Sequence, residues 1–148
     1  MKKWSTFRIG GKMIIRSLNS VPLEKVAAGK NTFRQVLIGA DEAPNFAMRR
    51  FIIEAGGEMS NHTNTVEHEQ LVLNGRATVG INDETIEVKK NDVVFIPANV
   101  PHSYKTIGDE PFEFLCMVPN NEDLIKIISD SVDTGYKEST LLNLYYDS

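Results

Sequence analysis

The stretch Gly56-Gly57-Glu58-Met59-Ser60-Asn61-His62-Thr63-Asn64-Thr65-Val66-Glu67-His68-Glu69-Gln70-Leu71-Val72-Leu73-Asn74-Gly75 carries two of the chain's three histidines. Ahead of it, residues 46–54 read as a strand that ends at Ala55-Gly56-Gly57. Residues 67–73 read as another strand. Asn74-Gly75 then predicts a tight hairpin turn, because a type I′ turn needs positive φ at both central residues. Arg76–Ile81 is the returning strand. Side chains alternate across a strand, so His62 and Asn64 share one face. Beyond a turn at Thr65-Val66, His68 and Gln70 share a face of the next strand.

The same pattern continues downstream. Asn82-Asp83 is a turn into residues 85–88, and Lys90-Asn91-Asp92 is a turn into Val93–Ile96. Residues 97–101 form a loop that delivers His102 to a strand over 102–106. Gly108-Asp109-Glu110-Pro111 precedes a final strand over 112–118. Short strands with turn signals every ~8–12 residues are the pattern of a sandwich or barrel. Upstream, residues 13–18 and 34–38 predict two extra strands joined by a polar loop at Gly29-Lys30-Asn31. Downstream, 121–132 predicts a helix, with Asn121 as N-cap and Leu124, Ile127 and Ile128 on one face. Residues 141–146 form an apolar tail expected to pack on the domain or on a partner subunit.

The chain has 148 residues, with 41% apolar and 24% charged, which suits one globular domain with its own core. A net charge of −4 gives no electrostatic footprint for nucleic acid or an anionic membrane. No apolar run approaches the ~20 residues that span a bilayer. No apolar segment follows Lys2 and Lys3 to make a signal peptide, so the expected location is the cytoplasm. Cys116, the only cysteine, lies in an apolar run and predicts a buried, inert thiol.

His62, His68 and His102 each stand at the edge of an expected strand, where a barrel can bring them together. Neutral imidazole is a common ligand for divalent zinc, iron, copper, nickel and manganese. Three such ligands leave open positions for water or substrate.

At these residues the chain resembles the cupin family. The first cupin motif runs Gly, five residues, His-x-His, three or four residues, Glu, six residues, Gly; the quoted stretch follows it from Gly56 to Gly75. The second runs Gly, five residues, Pro-x-Gly, two residues, His, three residues, Asn; here it extends from Asn91 through Pro97, Asn99 and His102 to Thr106. The resemblance implies an all-β double-stranded β-helix, or jelly-roll barrel, with N-terminal extra strands and a short C-terminal helix. The whole chain is expected to be one cupin domain. Its barrel core covers about 40–119, with N-terminal strands over 1–39 and a C-terminal helix and tail over 120–148.

The departures from the motif bear on function. Asn64 replaces the second histidine, and His68 stands where the family usually has its glutamate ligand. In this the chain resembles small manganese-type cupins. Asn91 and Asn99 replace glycines, and asparagine tolerates the left-handed backbone. Thr106 replaces an asparagine of local hydrogen-bonding role. The resemblance implies one divalent metal ion, with manganese or iron foremost and zinc, nickel or copper as alternatives. Its ligands would be His62, His68 and His102. Asn64 either offers a carbonyl oxygen as fourth ligand or stays outside the set. A shifted register would make Glu69 the ligand instead of His68.

Gln70 and Tyr104 have the strand parity of His68 and His102 and are the candidate catalytic residues facing the cavity. Glu67 and Glu69 have the outward parity, so no general base is evident. The expected function is a metal-dependent enzyme, dioxygenase-like as the resemblance implies, acting on a small anionic or chelating molecule. The alternatives are a non-catalytic ligand-binding or sensing cupin, and a metal-dependent isomerase or decarboxylase. The expected partners are a small-molecule ligand and a second copy in a homodimer.

Overall fold

The computed structural model describes residues 13–128 and the backbone of 144–145. Its strands are β1 (Glu24–Lys25), β2 (Gly29–Ile38), β3 (Phe46–Asn64), β4 (His68–Asn74), β5 (Arg76–Ile81), β6 (Glu84–Lys89), β7 (Val93–Ile96), β8 (His102–Ile107), β9 (Phe112–Pro119), β10 (Leu124–Ile127) and β11 (Leu144–Tyr145). The main sheet runs β6-β5-β8-β3-β9-β4-β7, and β2 and β10 also pair with β3. It curls into the expected jelly roll. The strand pairs of this sheet are antiparallel, and several connections cross between strands that are not neighbours, as from β4 to β5 and from β6 to β7.

Strand β3 is the spine. Its first half pairs with β9 from Phe46 to Ile53, and its end pairs with β8 and β10 around His62. The expected stop at Ala55-Gly56-Gly57 is a bend inside this 19-residue strand. Gly56 there has φ +76° and open space around it, so the chain changes direction without ending its pairing.

The core lies inside the curl. Ala47, Phe51 and Ile53 of β3 meet Val72, Val79, Ile96, Phe112, Phe114 and Cys116, all buried. Phe51 stacks on Phe114, with ring centroids 5.2 Å apart. The alternation in β9 is complete, with Phe112, Phe114, Cys116 and Val118 turned inward. The hydrogen bond expected to be local at Thr106 is long-range instead: Thr106 donates to the Ile53 carbonyl of β3 at 3.0 Å. Asn91 and Asn99 both adopt positive φ, at 76° and 64°, as a residue in a glycine position must.

Three further expectations are corrected. The helix over 121–132 is not seen: Leu124–Ile127 is strand β10, paired with β3 through Ile125↔Asn64, Lys126↔Thr63 and Ile127↔His62. Residues 129–132 lie outside the described residues. The strand over 13–18 is absent; those residues lead irregularly into a single 3-10 turn at Leu18–Ser20, and the N-terminal strands are β1 and β2. Asn74-Gly75 does not close a hairpin, because β4 pairs with β7 and β9 while β5 pairs with β6 and β8. Gly75, at φ +73°, lets the chain cross tightly over the Pro111 carbonyl instead. Asn82-Asp83, between the paired residues Ile81 and Glu84, is a two-residue hairpin turn. Of the tail over 141–146, only the backbone of β11 is described, and it pairs with β10; the rest lies outside the described residues. Among the described residues no helix is long and apolar enough to cross a membrane.

Candidate metal centre

The end of β3, the start of β4 and the start of β8 meet at one end of the curl. His62 and His102 are cross-strand partners, and their rings lie 4.2 Å apart between centroids. His68 meets His102 edge-on at 5.7 Å. All three are buried, and they line one cavity with Asn64, Gln70, Tyr104 and Arg49.

His62 reaches this cavity through a bulge. On β3, inward residues run Ala47, Arg49, Phe51, Ile53 and Met59, then switch to His62 and Asn64. The register against β8 shifts between Met59↔Tyr104 and His62↔His102, three residues on β3 facing two on β8. The extra residue reverses the parity and turns His62 inward.

Backbone carbonyls set the ring orientation of two histidines in the same way. His62 Nδ1 lies 2.7 Å from the Ser60 carbonyl, and His102 Nδ1 lies 2.9 Å from the Val100 carbonyl. A carbonyl only accepts, so each Nδ1 carries the proton and each Nε2 keeps its lone pair. This is how a metal-binding imidazole is normally held from behind.

Asn64 is oriented by a carboxylate. Its Nδ2 donates to both oxygens of Asp123, at 3.0 and 3.3 Å. The opposite end, Oδ1, is buried with no hydrogen-bond partner, as are His68 Nε2 and His102 Nε2. Glu69 is exposed on the other face of β4, and His68 holds the inward position.

These side chains do not form a closed ligand set as they stand. Among the described residues no group of three or more His, Cys, Asp or Glu side chains is arranged to hold an ion. The donors nevertheless suit one. Buried polar atoms are rarely left unsatisfied, and here two acceptors, Asn64 Oδ1 and His102 Nε2, lie unpartnered in one cavity with His68 Nε2. The free space beside them, about 20 Å³, is enough for a single water or ion. No ionised side chain belongs to the donor set, and a cation would supply the missing partner.

Gln70 and Tyr104 both face inward as a bonded pair. The Tyr104 hydroxyl sits 2.7 Å from Gln70 Nε2 and 3.1 Å from Gln70 Oε1. Tyr104 meets His102 edge-on at 5.9 Å and stacks on Phe114 at 5.1 Å. Arg49 is a site residue that the sequence reading missed. It is buried on β3, lies over the Phe51 ring at 5.3 Å, and places Nη2 3.9 Å from Cys116 Sγ. The available signal was its parity: it stands between Ala47 and Phe51 on the inward face.

The Cupin domain family model matches residues 49–118, from Arg49 through all three histidines to Val118. The chain is a cupin. A solved cupin 2 domain-containing protein from Halorhodospira halophila is 31% identical to it, with TM-score 0.61, covering 66% of this chain and 69% of that one. The polyketide cyclase RemF from Streptomyces resistomycificus is 27% identical, with TM-score 0.75, covering 82% of this chain and 89% of RemF. An uncharacterized protein of Methanocaldococcus jannaschii is 35% identical over 66 residues, 44% of this cupin and 53% of its relative. A Streptomyces coelicolor relative is matched over 63% of its length, so this cupin covers less than two thirds of either curated relative.

Burial decides the protonation of this cupin's site. It pushes His68 down to about 2, helped by the Arg49 guanidinium and the two other imidazoles. His102 is pushed down to about 3, by burial first and then by His62, against the Val100 carbonyl. Burial also lowers His62, opposed by its bond to Ser60 and by the charge of Asp123. All three are therefore neutral at pH 7, the form that binds metal. Burial raises Tyr104 and Cys116 above their ordinary values, so phenol and thiol both keep their protons. Cys116 is fully buried, as the sequence reading expected.

Proposed function

We propose that this cupin is a metal-dependent enzyme acting on a small anionic or chelating organic molecule. One divalent ion would be held by His62, His68, His102 and the Asn64 carbonyl oxygen. The observation that carries this reading is the trio of unpartnered polar atoms, Asn64 Oδ1, His68 Nε2 and His102 Nε2, buried in one cavity. Three imidazole nitrogens suit zinc, nickel or copper, and the added amide oxygen shifts the preference toward manganese or ferrous iron. An uncharged ligand set leaves such an ion its full charge, so it supplies Lewis acidity toward oxygen-rich ligands.

The remaining wall supports an anionic substrate. Arg49 places a permanent cation in the cavity lining. The Gln70–Tyr104 pair offers a hydroxyl and an amide to orient a substrate oxygen. Among the described residues no side chain stands ready as a general base: Glu67 and Glu69 are exposed, and Asp123 is engaged by Asn64 and the Thr65 amide. The site therefore favours activation at the ion over proton abstraction by a carboxylate. About 20 Å³ of free space beside the donors matches an ion or a single water.

The likeness to RemF favours a second reading, ring closure of a polyketide-like chain. The two readings share a substrate chemistry, because β-dicarbonyl groups are anionic chelators once enolised.

The test begins with metal analysis of protein saturated with manganese, iron, zinc or nickel and then desalted. The expected result is one divalent ion per chain, lost in His102→Ala. No retained ion with any of these metals overturns the proposal. The loaded protein is then incubated with small keto acids, β-diketones and poly-β-ketones. Oxygen uptake selects dioxygenase chemistry, and product without oxygen uptake selects the cyclase reading. Bound ligand with no product marks a binding module.

A further inference from the structure

We propose that Asp123 is a positioning residue for the metal centre, fixing the Asn64 amide so that its carbonyl oxygen faces the ion. In this way the docking of β10 onto β3 and the loading of the site with a divalent cation support each other. This rests on the metal-binding reading above.

The argument starts from the asymmetry of an amide, which has one donating end and one accepting end. Rotating Asn64 by half a turn would exchange them. An ionised carboxylate only accepts, and Asp123 holds the donating end with both oxygens. Turning the amide over would set its oxygen against two carboxylate oxygens and aim its NH₂ at the imidazole lone pairs. The first contact is repulsive and forfeits both charge-assisted bonds to Asp123, which outweighs a neutral amide–imidazole bond at the second, so Oδ1 is held inward.

Asp123 is itself held by a clasp. One of its oxygens accepts the Thr65 N–H at 3.2 Å. The Thr65 hydroxyl donates to the Glu122 carbonyl at 3.0 Å and accepts the Leu124 N–H at 2.9 Å. Beyond it, Ile125 is buried opposite Asn64, Ile127 pairs with His62, and the Ile128 N–H donates to the Asn61 carbonyl at 2.8 Å. The segment 122–128 therefore borders the strand end that carries two of the four donors. Whatever docks this segment orients Asn64. By linkage, an ion that pulls on Asn64 Oδ1 also favours the docked segment.

The experiment is a manganese titration of the full chain, by competition with a chelating dye, in a double-mutant cycle of Asp123→Ala and Asn64→Ala. Asp123→Ala is expected to weaken manganese binding about tenfold, the lower end for loss of a residue that orients a ligand. In the Asn64→Ala background the same change is expected to matter less than about twofold. Asp123→Asn, which can turn either end toward Asn64, is expected to fall between and covers the case in which the alanine variant does not fold. In the wild type, manganese is expected to slow hydrogen exchange at the amides of 124–127. A loss of the same size in both backgrounds would mean that Asp123 supports the fold only and overturns the proposal. Unchanged affinity in Asp123→Ala overturns it too. A wild type that binds no manganese overturns the metal-binding reading itself, a different result from either.

Discussion

Acid should destabilise the metal-free protein in a way set by two named imidazoles. His68 and His102 are held down to about 2 and about 3, whereas an unfolded chain returns each to about 6.5. Below pH 6.5 the unfolded state takes up protons that the folded state refuses. The stability these groups contribute is therefore fully present above pH 6.5 and is lost as pH falls toward their folded values. Between pH 7 and pH 5 each costs about 2 kcal/mol, or about 4 kcal/mol together, from the proton-binding difference. That is a large part of the 5–15 kcal/mol typical of a domain. The assay is urea unfolding with a chelator present, at pH 7, 6 and 5, on the wild type and on His68→Gln/His102→Gln. Carboxylates contribute equally to both proteins, so the difference between the two pH profiles isolates the imidazoles. The expected difference is about 4 kcal/mol over the two pH units. Parallel profiles would refute the claim that these imidazoles are buried and neutral.

Further outcomes follow from other parts of the molecule. Gly75→Ala is expected to cost more than Gly56→Ala in urea midpoint, although both have positive φ, because a Cβ at Gly75 would lie 2.3 Å from the Pro111 oxygen while Gly56 meets nothing within 4 Å. The Gly56 change should cost about 1–2 kcal/mol from backbone strain alone, and equal losses would show that the close crossing at Pro111 is absent. Cys116, fully buried and with its thiol pushed up by burial, should resist a maleimide at pH 8 in the folded protein and react fully in urea; fast native labelling would contradict its place in the core. We also propose a homodimer through the outer face of β4 and β7, where Leu71, Val93 and Phe95 are 39%, 77% and 53% exposed. Light scattering should give twice the chain mass, falling to one in Val93→Lys/Phe95→Lys, and a wild-type monomer would sink it.

The strands from β4 to β9 were legible because each alternates cleanly and is punctuated by asparagine, glycine or proline. The same parity placed Gln70 with His68, and Tyr104 with His102, on the inner face. What was not legible depended on distant partners. Leu124, Ile127 and Ile128 fit a helical stripe as well as a short strand, and only pairing with the end of β3 decides for the strand. Asn74-Gly75 carries a hairpin signature, yet the strands on either side find other neighbours, so the glycine serves a close backbone crossing instead. Arg49 stands at an inward position, but nothing local says that a charge will be buried there. Asp123 lies 59 residues from the amide it holds, beyond the reach of any local pattern.

The bulge between Met59 and His62 makes the centre dependent on chain length as well as on residue identity. Adding one codon there, beside Ser60 or Asn61, would leave every ligand in the translated chain. With the same single bulge, Met59 and His62 would then fall on opposite faces, and His62 and Asn64 would be carried to the outer surface. A relative could therefore lose or regain this chemistry by a single-residue insertion or deletion. For this fold, the spacing ahead of the first histidine is as informative about activity as the histidines themselves.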